Sequence, residues 1–395
     1  MRLTPGSRGM TILLAMMTGL GPLSTDIYLA SMPFIGAALS ASAGAVQLTM
    51  SAYVIGFAFG QIIYGPLSDK LGRRPVLLVG FGLYLFATLA CVLSTNIETL
   101  ITARIIQSLG AAGPIILARA IVRDLYEGAQ AGRQLAIMSA IVGFAPIGAP
   151  VLGGVLQSLF DWHASFLAML LVAGILAFTV LLLLPETNKA KQIGPLSLGS
   201  VIASFREVLK NRAFRSYAVL QAIGYNGLFV FLSGSSYVLQ RVYGFDSISF
   251  GLMFACCSCC YVSGAYVGAR MVARRGLDGM IKRGVIFMMI GGISQLLAVI
   301  AFPREPLAFI IPEMVFFFGL SFVMPNVIAA AMSPFPERAG AASSLMGFVQ
   351  MSSAAPIAWA MSLFLSTNAL PVAVVMAISG TGSFVLFRAT RHLRA

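Results

Sequence analysis

Three ionisable side chains stand inside long apolar runs: Asp26, Arg104 and Glu313. A charge within a membrane-spanning helix costs about 2.5–3.5 kcal/mol, so such residues are rarely left there without a role. An acid facing a watery cavity can load and release a proton or pair with a cation. An arginine stays charged and offers five fixed donors. Asp26 and Arg104 are each expected six or seven residues from the outer ends of their spans. At about 1.5 Å per residue, both then lie about 9–10 Å deep. Equal depth permits an interaction, direct or through water. The competing reading is a structural ion pair that orders the helices, and buried pairs are not dependable stabilisers. Glu313 is expected near the outer end of its span, where interfacial water and a coupling role are both open.

Further polar and aromatic groups could line a ligand site with that pair. Tyr53, Gln107 and Asn226 lie in three other apolar stretches or beside Arg104. Gln107 shares a helix face with Arg104, and Phe229 lies one turn from Asn226. The candidate substrate-binding set is therefore Asp26, Tyr53, Arg104, Gln107, Asn226 and Phe229. Tyr53, Gln107 and Asn226 are equally open to a reading as helix-packing links. Cys256, Cys257, Cys259 and Cys260 invite a metal reading. On one helix they spread over a wide arc, and His163 and His392 are distant in sequence, so small packing residues are favoured and no metal is expected. Trp162 reads as an interface anchor and Trp359 as a packing residue. No phosphate-binding loop and no catalytic triad are visible, so no catalytic residues are assigned.

The elements that must position these groups are membrane helices. The 395 residues are 58% hydrophobic with a mean hydropathy of +0.91, and 10% charged, against about 25% in soluble domains. A water-soluble fold of this size could not cover its surface. Twelve runs are long enough to span, near 10–32, 45–66, 75–94, 98–118, 134–157, 163–184, 216–238, 247–270, 283–302, 307–328, 339–364 and 370–388. A polar, basic stretch at 185–215 divides them six and six. No cleavable signal peptide is expected, since no small-residue cleavage site follows the first run. The expected division is a first six-helix bundle at 1–187, a linker at 188–215 and a second bundle at 216–395.

The net charge of +13 could suggest nucleic acid, but its placement says otherwise. With the N-terminus in the cytoplasm, nearly all Lys and Arg fall on inner segments, including Arg73, Arg74, Arg123, Lys189, Arg206, Arg275, Arg338 and Arg391. Arg241 and Arg304 fall outside, and Arg104 within a span. The charge is a topology signal with both termini inside.

Gly65-Pro-Leu-Ser-Asp69-Lys-Leu-Gly72-Arg73-Arg74 follows the second run. Its glycines permit a tight turn between two helix ends. Asp69 can meet a helix N-terminus, and the arginines can meet acids or lipid phosphates. A generic basic turn explains the arginines but not the acid or the spaced glycines. About 200 residues later, Ala269-Arg270-Met-Val-Ala-Arg274-Arg275-Gly276 is a degraded echo after the eighth run. Six plus six spans with a parallel repeat point to a transporter with its site near the midplane. The Gly143–Gly154 stretch, rich in glycine and proline, reads as a bent, closely packed helix.

The 65–74 loop resembles the signature loop of the major facilitator superfamily. The chain is most similar to the twelve-span drug:proton antiporters of that superfamily, the Bcr/CflA-type multidrug efflux group. The resemblance rests on Ser24-Thr-Asp26-Ile-Tyr28-Leu-Ala-Ser-Met-Pro33, on Gln61 to Pro75, on Arg104-Ile-Ile-Gln107, on Arg123-Asp124-Leu-Tyr126 and on Ala149-Pro150-Val-Leu-Gly153-Gly154. Pro185-Glu186-Thr187 is also similar. It implies an all-α integral membrane fold of two pseudo-symmetric six-helix bundles around a central cavity. It implies that Asp26 and Arg104 couple proton to drug movement. It implies that Gly65, Asp69, Gly72, Arg73, Arg74 and Asp124 form a conformational motif at the inner face. Pro150, Gly153 and Gly154 match the helix-packing motif of antiporters, with Ala145 and Ala149 standing where glycines are usual.

The implied function is proton-coupled efflux of drugs by alternating access, with no cofactor beyond a proton gradient. The implied partners are small amphipathic molecules, protons and the bilayer, not nucleic acid. A monomer in a bacterial inner membrane is expected. Export of a natural metabolite or siderophore, or solute:proton symport, remains open.

Overall fold

The computed structural model describes residues 4–188, 198–335, 339–362 and 368–393. Two compact units divide the chain, residues 1–196 and 197–395. The first contains α1 (Arg8–Asp26), α2 (Met32–Ala38), α3 (Ala43–Leu71), α4 (Arg73–Val92), α5 (Ile97–Leu125), α6 (Gly128–Leu159) and α7 (Trp162–Leu183). The second contains α8 (Leu198–Lys210), α9 (Arg212–Tyr237), α10 (Ser247–Ala301), α11 (Pro306–Met332), α12 (Ala339–Ser362) and α13 (Leu370–Ala389). The described residues form no strand. Gly276, with φ 68° and ψ 169°, folds α10 into two limbs, 247–275 and 277–301. Counting α1 with α2 as one span and the limbs of α10 as two, the twelve expected spans are present. α8 falls in the stretch read as a linker, and residues 189–197, with Lys189 and Lys191, lie outside the described residues. So do Arg338, Arg394 and the Trp359 side chain.

The sequence writes these helices in two ways. Their starts carry side-chain caps: Ser42, Asn96, Asn211 and Asp246 each accept a hydrogen bond from the amide three residues on. Their bodies are apolar on the outside as well as the inside. Val79, Phe86, Leu171, Phe178, Leu297 and Ile378 are each more than 60% exposed. In water such a surface would drive aggregation. In a bilayer it is the lipid-facing side, and every helical backbone group is satisfied internally.

The halves repeat one plan. α1 packs on α6 as α9 packs on α12; α3 and α4 pack on α5 as the two limbs of α10 pack on α11; α4 packs on α7 as α10 packs on α13. The turn after the second span is made by Gly72 (φ 105°), and the corresponding turn in the second half by Gly276. The faint echo in sequence is thus a repeated backbone device, since both glycines adopt a conformation that side chains rarely tolerate.

Candidate functional site

The first span is broken at its acid. α1 ends at Asp26, and the next residue, Ile27, still donates its N–H to the Leu23 carbonyl, 3.1 Å. Tyr28 then leaves the α geometry, Leu29–Ser31 form a 3-10 turn, and α2 restarts at Met32. The expectation that the span ends near Pro33 is corrected here. Pro33 sits in the first turn of α2, where a missing N–H removes no hydrogen bond. The span runs on to Ala38, so Asp26 is twelve residues from its outer end rather than six or seven.

The break is held from the fifth span. A Cβ on Gly153 would fall on the carbonyl oxygen of Ile27. Only a glycine lets α6 approach the chain so closely at the residue after Asp26. Ser165 Oγ donates to the same carbonyl at 3.4 Å. Pro150 and Gly154 are also buried, on the same helix.

Asp26 is 4% exposed, and Thr25 Oγ1 donates to its Oδ1 at 2.7 Å. The ion pairs of the described residues are Arg73 with Asp69 and Asp124, His163 with Asp161, and Lys210 with Glu207. Asp26 is in none of them. Arg104 is fully buried, and its Nη1 donates to the Ser24 carbonyl (3.1 Å) and to Gln107 Oε1 (2.7 Å). Gln107 Nε2 passes the chain on to Thr88 Oγ1 at 2.8 Å. The guanidinium lies 4.3 Å from the ring centres of both Tyr28 and Tyr53, so two aromatic faces stand in for a counter-charge. Arg104 Nε and Nη2 have no acceptor. The matched-depth pairing is therefore not a direct contact. Arg104 reaches the chain two residues before Asp26, and Tyr53 stands within electrostatic range of both. Tyr53, Arg104 and Gln107 form one buried cluster in the first unit, with Asp26 buried close by on α1. Ser24, whose Oγ lies 2.6 Å from Tyr84 Oη, belongs to it and was not singled out by sequence.

At the other end of the same helices, Arg73 gathers Asp69 of the 65–74 loop and Asp124 at the end of α5. Its Nε donates to Asp124 Oδ2 (2.9 Å), its Nη2 to Asp124 Oδ1 (3.3 Å), and its Nη1 to Ser68 Oγ and Asp69 Oδ1. Bidentate contact of this kind is specific to arginine. Asp69 does not meet a helix N-terminus, as its type and place suggested. That role belongs to Glu186, whose Oε1 and Oε2 accept from the backbone N–H of Arg73 and Arg74 at 2.9 and 3.2 Å. A carboxylate there complements the positive end of α4. Gly72 is fixed twice over, by its φ and because a Cβ would crowd the Glu186 carboxylate. Arg74 Nη2 donates to the Leu181 carbonyl at 2.6 Å. Gly65 is an ordinary helical residue with open space beside it.

In the second unit, Asn226 Oδ1 accepts from Ser353 Oγ at 3.0 Å, tying α9 to α12. Phe229 is 1% exposed and stacks on Tyr225. Glu313 is fully buried, so the expectation that it reaches interfacial water is also corrected. Trp162 is buried against His163 and Phe166 rather than presented at an interface. Among the described residues no His, Cys, Asp or Glu cluster could hold a metal.

Comparison with known proteins agrees with this architecture. A family model described as Major Facilitator Superfamily matches residues 14–358. An uncharacterised MFS-type transporter, YdgK, of Bacillus subtilis (strain 168) is 31% identical over 97% of this chain and 96% of its own. Multidrug resistance protein D of Escherichia coli (strain K12) is 26% identical over 93% and 92%. The solved xylose transporter XylE from E. coli superposes with a TM-score of 0.74 at 12% identity, covering 97% and 96%, which speaks to the fold alone.

Proposed function

Because the chain belongs to the Major Facilitator Superfamily, a family of membrane transporters rather than enzymes, we propose that it exports drug-like molecules in exchange for protons by alternating access. The observation that carries this reading is a buried acid at a break in the first span, free of any ion pair among the described residues, beside an arginine with two unused donors. A carboxyl with no counter-charge responds to burial and to any approach of a positive group. A cationic or hydrogen-bonding drug and a proton would therefore compete at Asp26. Arg104 would sense which is bound, through the Ser24 carbonyl it already holds. Tyr53 and Gln107 would contact drug from the first unit, and Asn226 and Phe229 are proposed as drug contacts of the second. The name of the E. coli relative, a multidrug resistance protein, supports a drug substrate.

The network of Asp69, Arg73, Arg74 and Asp124, with Gly65 and Gly72, would latch the inner face during the cycle. The proposed bundles are residues 1–187 and 216–395, with 188–215 as the linker between them in sequence. The protein would work as a monomer in a bacterial inner membrane. In everted vesicles with an acidic interior, it should accumulate cationic and neutral amphipathic drugs, and the accumulation should vanish when the pH gradient is dissipated. Transport of a natural metabolite with no drug movement would overturn the drug assignment.

The positive-inside count supports a cytoplasmic position for both termini and residues 185–215. A cysteine at position 192, in a chain otherwise free of cysteine, should react only with a membrane-permeant maleimide in intact cells. Labelling by an impermeant reagent would reverse the orientation.

A further inference from the structure

The second unit holds a buried acid that the exchange at Asp26 does not use. Asp26 and Glu313 are the two buried acids among the described residues. Glu313 lies on α11, fully enclosed, and Gln295 on the second limb of α10 is equally enclosed. Gln295 Nε2 donates to Glu313 Oε2 and to the Phe309 carbonyl, each at 2.9 Å. Glu313 Oε1 and Gln295 Oε1 have no partner. The neighbours offer no compensating charge. From the first limb of α10 comes the buried Cys257 thiol, within electrostatic range of Glu313. From α9 comes Phe231, packed on Phe309 and Phe317, and beyond it Tyr243, whose ring meets Phe309. No Lys, Arg or His forms an ion pair with Glu313 among the described residues.

The repeat gives this position a meaning. Glu313 follows the start of its helix, Pro306, by seven residues; Arg104 follows the start of its own, Ile97, by seven. Each belongs to the fourth span of its half. Each is held by a glutamine amide in a chain of contacts that reaches the third span, Thr88 in one half and Gln295 in the other. Where the first half keeps a permanent cation, the second keeps a carboxyl. A carboxylate buried without a counter-charge is costly, whereas the same group carrying a proton is neutral. Glu313 Oε1 is the oxygen left to carry it.

We propose that Glu313, positioned by Gln295, is a second proton-binding site, built into the C-terminal unit and separate from Asp26. No bond other than O–H forms or breaks: the proton is taken from water and returned to it when the cycle wets the site. The test is infrared difference spectroscopy of the purified full-length protein through a pH titration. Wild-type protein with carbon-13-labelled glutamate should show an isotope-shifted band of a protonated carboxyl in an apolar setting, and the band should fade as the proton leaves. Glu313→Gln should abolish the band, Gln295→Leu should move its frequency, and Asp26→Asn should leave it in place. No titrating glutamate band in labelled wild type, or a band that survives in Glu313→Gln, would overturn the proposal. The labelled wild type needs no substitution, so a variant that fails to fold leaves the test intact.

The consequence for transport rests on the proton-exchange reading. With a neutral drug and no membrane potential, two protons per drug allow an accumulation ratio of about a hundredfold per pH unit, and one allows about tenfold. Glu313→Gln should drop the ratio to the lower value while exchange at Asp26 continues. An unchanged ratio would remove Glu313 from the cycle, even where its infrared band is present.

Discussion

Asp26→Asn should leave a folded protein that no longer concentrates drug against its gradient. Asparagine keeps the size of the side chain and can still accept from Thr25 Oγ1, so the α1 break has no reason to move. What is lost is the one buried carboxyl of the first unit among the described residues. Each proton exchanged across one pH unit is worth about 1.4 kcal/mol, a tenfold ratio. With no group for which drug and proton compete, the ratio in a pH-driven vesicle should fall to one. Binding of a neutral drug, which would meet Tyr53 and the Arg104 donors rather than need the carboxylate, should persist. A variant that still pumps uphill at the wild-type level would take coupling away from Asp26 and leave Glu313 as the next candidate.

Gly153→Ala should be nearly as damaging, by a different route. The added methyl would land on the Ile27 carbonyl oxygen, so α6 must retreat from the break beside Asp26. Overpacking a close contact costs about 1–3 kcal/mol. If the cost falls on the tightly packed state, its population drops about 5- to 150-fold relative to the others. Export should fall accordingly, and the melting temperature should fall with it. Gly148→Ala is the internal control. It lies on the same helix with no atom within 4 Å of the added methyl, and should export like wild type. Equal behaviour of the two variants would show that the contact with Ile27 is not functional.

How far the sequence spoke depends on the distance between partners. The twelve spans were legible because each needs only its own run of apolar residues. The 65–74 loop was legible because Asp69, Gly72 and Arg73 are neighbours, and because Asp124 stood beside Arg123 in a second recognisable stretch. Glu186 was not legible as the cap of α4. It lies 113 residues beyond Arg73, and only the packing of α7 against α4 brings it there. The break after Asp26 left no mark either. Ile27 to Ser31 contain no glycine or proline, while Pro33 offered a false stop. The break is set by tertiary contact, Gly153 against Ile27, and a local reading cannot see it. Glu313 was visible as an acid in an apolar run. Its partner Gln295 was hidden on the neighbouring span.

The depth argument for Asp26 and Arg104 shows the same limit. Counting from Pro33 placed the outer end of the first span five residues short of Ala38, yet Arg104 still reaches that span, at Ser24. Of the residues grouped on sequence, Tyr53, Arg104 and Gln107 come together in the first unit, while Asn226 and Phe229 lie in the second. Two aromatic faces, a carbonyl and the Gln107 amide oxygen, not the acid, hold the arginine.

On the exchange reading, drug displaces a proton from Asp26. The most direct test is to add a cationic drug to purified protein in weakly buffered detergent solution and follow the pH. Wild type should release protons in proportion to the drug bound. Asp26→Asn, shown to be folded by its circular dichroism and melting temperature, should release none. Proton release from Asp26→Asn equal to that of the wild type would contradict the account.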